Sequence, residues 1–298
     1  MSGRSKRRSP DEKAAVKTDL FISAYNDRIR KYLEELIRVA ARRTQTSLWG
    51  KKLSEMGDGA KDILIIDSGG KIWDTVCAAD IMGASYKEYI VYKEGGRPVH
   101  IISPMKGDSS GPYKEMFSDL LVKRCKFIDS KRRTVFAAVD GDPALKSPDY
   151  REMCRTVKSA ISRGKYTEIA YDSIVRTDWT DSADVFITDE YTNNAKLLFL
   201  ARGGEPVVMH LGSDETNIYV PFAALRSFCF VPHKKAMMEA LYAVSLWLFD
   251  LGLAAPSKRL NSVIANTERP WDAADEFDRP IKKSSKRGEK DDGDKDQA

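Results

Sequence analysis

The stretch "KDILIIDSGGKIWDTVCAADIMG", residues 61–83, decides how the rest of the chain is read. Ile63, Leu64, Ile65 and Ile66 form a short apolar run bounded by turn residues, the pattern of a strand buried on both faces. Gly69 and Gly70 then turn the chain, and residues 71–83 carry a helical pattern that Gly83 ends. A strand, a glycine turn and a helix, in that order, open a parallel α/β unit. Such a turn aims helix N-terminal amides at one point and lets a ligand approach the backbone closely.

The same alternation runs along the chain. Strands are predicted at 88–93, 98–103, 133–139, 184–189, 206–212 and 217–222, and helices at 16–46, 112–128, 147–164, 192–202 and 233–252, with a loop after the first helix. The fold class that follows is α/β, a three-layer sandwich with a mainly parallel sheet flanked by helices. We divide the chain into a basic tail (1–15), one α/β domain (16–258) and a charged tail (259–298). The tails are expected to be largely disordered, because both are rich in charge and poor in apolar residues.

Of 298 residues, 42% are hydrophobic, enough to bury a large core. The net charge of +5 owes much to Arg4, Lys6, Arg7 and Arg8. That arm is a place where nucleic acid could make contact, but it lacks aromatic residues and reads first as a solubilising tail. Cys77, Cys125, Cys154 and Cys229 lie far apart, and His100, His210 and His233 lie away from them, which argues against a zinc site. The cysteines read as free thiols of a reducing compartment. No run has the length and polarity of a membrane span or signal peptide, so the expectation is a cytoplasmic protein with no membrane contact and no cofactor.

In parallel α/β sheets ligands bind at the carboxyl ends of strands. The candidate positions are Ser68, Gly69, Gly70 and Lys71 after the first apolar strand, and Thr188 to Asn194 after a later one. Asp189 and Glu190 in the second turn either cap the following helix or repel a bound anion.

These two units resemble the sugar isomerase (SIS) domain family. "ADVFITDEYTNNAKLLFLARGGEPVVMHLGSDE" (183–215) is similar to the strand, phosphate loop, helix and strand of its second half, and the first turn resembles the Asn-Gly-Gly-Ser loop of phosphoheptose isomerases. The resemblance covers roughly 18–255, with 95–180 poorly matched. It implies a phosphosugar ligand, a homo-oligomer paired through helices, and ligand contacts from Ser68, Gly69, Gly70, Lys71, Asp74, Thr188 and Asn193. It further implies aldose–ketose isomerisation with Asp80 as base and His233 as acid. Lys71 stands where the family has a hydroxyl, and Glu190 and Tyr191 replace residues of its serine-rich loop. These departures lead to a non-catalytic binding or assembly protein as the alternative. A phosphoribosyltransferase-like enzyme using Asp67 and Thr75 ranks third, and a methyltransferase fourth.

Overall fold

The computed structural model describes residues 17–24, 26–57, 61–66, 86–92, 99–104, 133–138, 155, 158–159, 166–170, 183–187, 204–212, 216–225 and 233–280. Its strands are β1 (Lys17–Ser23), β2 (Ser47–Lys52), β3 (Lys61–Ile65), β4 (Tyr86–Tyr92), β5 (Val99–Pro104), β6 (Arg133–Ala138), β7 (Tyr166–Ala170), β8 (Ala183–Ile187), β9 (Glu205–Gly212) and β10 (Thr216–Pro221). The helices are α1 (Asp27–Thr44), the single turn α2 (Phe222–Leu225), α3 (His233–Asp250), α4 (Ala254–Asn266) and α5 (Ala273–Asp278).

All ten strands join one sheet in the order β2-β1-β3-β10-β9-β4-β5-β8-β6-β7. Six of its nine pairings are parallel, and the three antiparallel ones lie together at the centre. The fold is α/β, a mainly parallel sheet flanked by helices in three layers. The order is the same from either edge: three parallel strands, a fourth parallel to them, then an antiparallel fifth. The halves meet where β9 pairs with β4. Strands β2, β1, β3, β10 and β4 run one way and the other five run back. We call "upper" the end of the sheet where β1 and β3 finish.

β3 matches the expectation for its apolar run. Ile63 and Ile65 pack with Met209, Leu211, Ile218 and Val220 on one face. Leu64 and Ile66 pack on the other with Leu20, Ile22 and Tyr219, beneath α1, α3, α4 and α5. Burial on both faces is what a strand with parallel neighbours on both sides demands.

The predicted helix over 16–46 is a strand followed by a helix. Leu20 and Ile22 alternate into the core as β1. Asn26 then caps α1, its side-chain oxygen accepting from the Arg28 N–H at 2.9 Å. Ile29, Leu33, Leu36, Ile37 and Ala40 form the buried stripe of α1. Residues 47–52, read as loop, are the edge strand β2, and 166–170 are a further strand absent from the sequence reading.

The domain also runs beyond residue 258, to at least the end of α5 at Asp278. Leu260, Ile264 and Phe277 are buried in the same core as α1 and α3, so 259–278 belong to the domain rather than to a charged tail. Exposed charges flank these core positions and hide them in the sequence. The basic tail, 1–15, and the remainder of the charged one, 281–298, lie outside the described residues.

The long apolar face of the helix over 233–252 exceeds what a small surface helix needs. Met237, Ala240, Leu241, Ala243, Val244, Trp247 and Leu248 are all buried within this chain, between the sheet and α4. Its apolar excess therefore needs no partner subunit. Among the described residues no helix is long and apolar enough to cross a membrane.

Tyr32 ties the C-terminal segment to α1. Its hydroxyl donates to the Pro270 carbonyl at 2.8 Å and accepts from the Ala274 N–H at 3.0 Å, and its ring meets Trp271 edge-on. Burial pushes the phenol up to about 12. This raised value means that its stabilising effect is complete below its ordinary 10 and is lost only as the pH rises through about 12. Tyr32→Phe leaves a buried carbonyl and N–H without their partner. It should cost about 1–3 kcal/mol in denaturant melts, by the same amount at pH 6 as at pH 8.

Candidate site at the centre and upper end of the sheet

A ladder of polar side chains crosses five strands beneath α3. At its lower end the Trp247 indole N–H donates to Asp62 Oδ2 at 2.8 Å, and the Asn217 amide donates to Asp62 Oδ1 at 3.0 Å. Asn217 Oδ1 lies 3.3 Å from His210 Nε2. His210 Nδ1 lies 3.0 Å from Glu88 Oε2, and Glu88 Oε1 lies 2.6 Å from His100 Nδ1. The alternation of strand side chains makes this possible. Asp62, Asn217, His210, Glu88 and His100 all share the face carrying Leu64, Tyr219, Val208 and Ile90.

Register sets the slope of the ladder. Asn217 is opposite Asp62, and Glu88 is opposite His210. His100 is opposite Ile90, two residues further up β4 than Glu88. The ladder thus climbs from the lower end of β3 to the upper end of β5. Glu88 and His210 are fully buried, and His100 is 8% exposed. His210 stacks on Tyr219 with centroids 4.6 Å apart, and the Tyr86 ring meets it edge-on. Gly212 makes room for Tyr86, since a Cβ there would overlap the phenol ring.

Donor and acceptor roles follow from the indole, which only donates. Asp62 must accept from Trp247 and from the Asn217 amide. Asn217 therefore turns its oxygen to His210, whose Nε2 must carry a proton. Burial raises the Asp62 carboxyl above its ordinary 3.8, and the Asn217 and Trp247 donors and the nearby His210 offset part of that. A raised carboxyl stabilises most below 3.8 and loses that contribution as the pH climbs through the folded value. Trp247→Phe removes a donor and pushes Asp62 higher still. The variant should lose about 1.5–3 kcal/mol at neutral pH, and its deficit in thermal melts should shrink toward pH 4.

Two further features lie at the upper end. Ser23 closes β1 beside Ile65, and its carbonyl accepts from the Ile66 N–H at 2.9 Å. Its hydroxyl, in a residue 2% exposed, has no hydrogen-bond partner among the described residues. On the other face, a pocket of about 350 Å³ lies between the start of β9 and the first turns of α3. Val207, Met238 and Tyr242 wall it, and its Lys235 is already paired with Glu205 at 2.6 Å. Such a pocket suits an apolar group better than a phosphate.

Of the residues singled out from sequence, Ser68, Gly69, Gly70, Lys71, Asp74, Asp80, Thr188 and Asn193 lie outside the described residues, as do Asp67 and Thr75. His233 is the first residue of α3, next to Lys234 at the rim of the pocket. The ladder was missed, although it left a signal. Glu88, His100 and His210 are polar residues at inward-facing positions of otherwise apolar strands.

No family model and no curated protein matches the chain. Among solved structures it is similar to the crystal structure of an isocitrate dehydrogenase from Methylococcus capsulatus, with a TM-score of 0.54 and 10% identity over 88% of this chain and 98% of that one. At that identity the likeness is one of fold, and it extends over nearly the whole of both chains.

Proposed function

We propose that the chain binds a small phosphorylated sugar at the upper end of β1 and β3. The observation that carries this reading is the Ser23 hydroxyl. A buried hydroxyl with no partner costs about 1–3 kcal/mol, and an anionic oxygen of a ligand would relieve that cost. It lies beside Ile66, the residue from which the chain enters Asp67-Ser68-Gly69-Gly70-Lys71. Glycines and a lysine supply what a phosphate needs, close backbone approach and positive charge. The SIS resemblance names the sugar phosphate as the class. Whether the ligand is turned over through Asp80 and His233 or only held is a second question, and binding comes first.

Thermal melts with a panel of sugar phosphates test the reading. At one hundred times Kd a ligand stabilises by about 2.7 kcal/mol, a shift of about 5 °C or more in a domain of this size. Lys71→Ala should remove much of that shift. Ser23→Ala should weaken it while leaving the ligand-free melt unchanged or slightly higher, since the alanine deletes an unpaired group. Isocitrate belongs in the panel, because the similar fold is that of an isocitrate dehydrogenase. A shift with isocitrate alone would replace the sugar phosphate reading, and no shift with any anion would end it.

A further inference from the structure

The pocket at the start of α3 combines apolar walls with charges that differ in placement. Lys235, Met238, Glu239 and Tyr242 recur at three- and four-residue spacing along α3, Lys234 flanks them at the rim, and β9 contributes Glu205 and Val207. The volume of about 350 Å³ is at the small end for a small-molecule site. Lys235 and Glu205 neutralise each other at 2.6 Å. Lys234 is exposed and makes no hydrogen bond or ion pair among the described residues. Glu239 is 1% exposed, and its Oε2 accepts from the Ala223 N–H. A carboxylate accepts about four hydrogen bonds, so Glu239 has capacity for a donor in the cavity whatever other contacts it keeps.

A ligand that is only an anion meets the buried carboxylate of Glu239, and one that is only a cation meets Lys234. A zwitterion suits both. We propose that the pocket binds a free α-amino acid with an apolar side chain. Its carboxylate pairs with Lys234, its ammonium donates to Glu239, and its side chain lies against Val207, Met238 and Tyr242. The spans agree. Helix geometry puts the Cα atoms of Lys234 and Glu239 about 9 Å apart, and both side chains line the same pocket. The two charged groups of an α-amino acid lie about 3 Å apart, and a hydrogen bond of about 3 Å at each end makes about 9 Å in all.

Ligand-detected NMR titration of the intact protein with L-leucine tests the proposal. Leucine should bind at millimolar concentration or below. 4-Methylpentanoate, which lacks the amine, and 3-methylbutylamine, which lacks the carboxylate, should each bind about tenfold weaker or more, the loss of one charge-assisted hydrogen bond. Free glycine, which has no side chain to bury, should not bind. Lys234→Ala changes an exposed position, so it should keep the wild-type melt and weaken leucine about tenfold. Glu239→Gln keeps an acceptor for the Ala223 N–H and should weaken leucine to a similar degree. If that variant does not fold, Lys234→Ala and the two truncated compounds still decide. No binding of leucine up to its solubility, equal affinity for either truncated compound or for free glycine, or wild-type affinity in a folded variant would each overturn the proposal. The pocket lies on the opposite face of the sheet from Ser23, and leucine carries no phosphate, so these titrations and the sugar phosphate melts fail separately.

Discussion

The contact between Glu88 and His210 joins the two halves of the sheet. β4 and β9 are the central pair, and these two side chains face each other across it with no solvent contact. Everything on one side is parallel to β3 or hangs on β10, and everything on the other is carried through β5. A buried ionisable pair gives little net stability compared with an apolar pair of the same shape, but losing one member strands the other and costs about 3–5 kcal/mol. What such a pair contributes is specificity. A slip of one residue between β4 and β9 would turn the slipped strand's group to the opposite face and break the run from Trp247 to His100.

The fold was legible in sequence where one periodicity acted alone. Ile63 to Ile66 are four apolar residues between turns, and they are a strand buried on both faces. α3 is long and continuously apolar, and its bounds were read within two residues. The reading failed where neighbouring elements overlapped in pattern. Phe21, Tyr25 and Ile29 have helical spacing, yet Leu20 and Ile22 have strand spacing, and only three residues, ending in the cap at Asn26, separate the two elements. α4 and α5 failed for a different reason: their large buried apolar residues, Leu260, Ile264 and Phe277, are diluted among charges that face out.

The candidate site was legible in a narrower sense. Glycine turns announce themselves through composition, so residues 68–71 stand out in any reading. The ladder does not, because its strand members lie far from Asp62 in sequence, from Glu88 at position 88 to Asn217, 155 residues away. Only the sheet order brings them together. Each is a single polar residue in an apolar strand, and one strand at a time gives no reason to connect them.

The strand order also governs how the chain can reach this structure. β3 and β4 are consecutive in sequence, but β10 and β9 lie between them in the sheet, and both come from the last third of the chain. During synthesis β1, β2 and β3 can pair with one another and β4 with β5, but the two groups cannot join, because β9 and β10 between them have not been made. α1 waits longer still, since the partners of Tyr32 are residues 270 and 274. Long-range pairing of this kind slows folding and leaves apolar strand edges open meanwhile. The chain should therefore be more dependent on chaperones, and more prone to aggregate when truncated near its C-terminus, than its ordinary composition suggests.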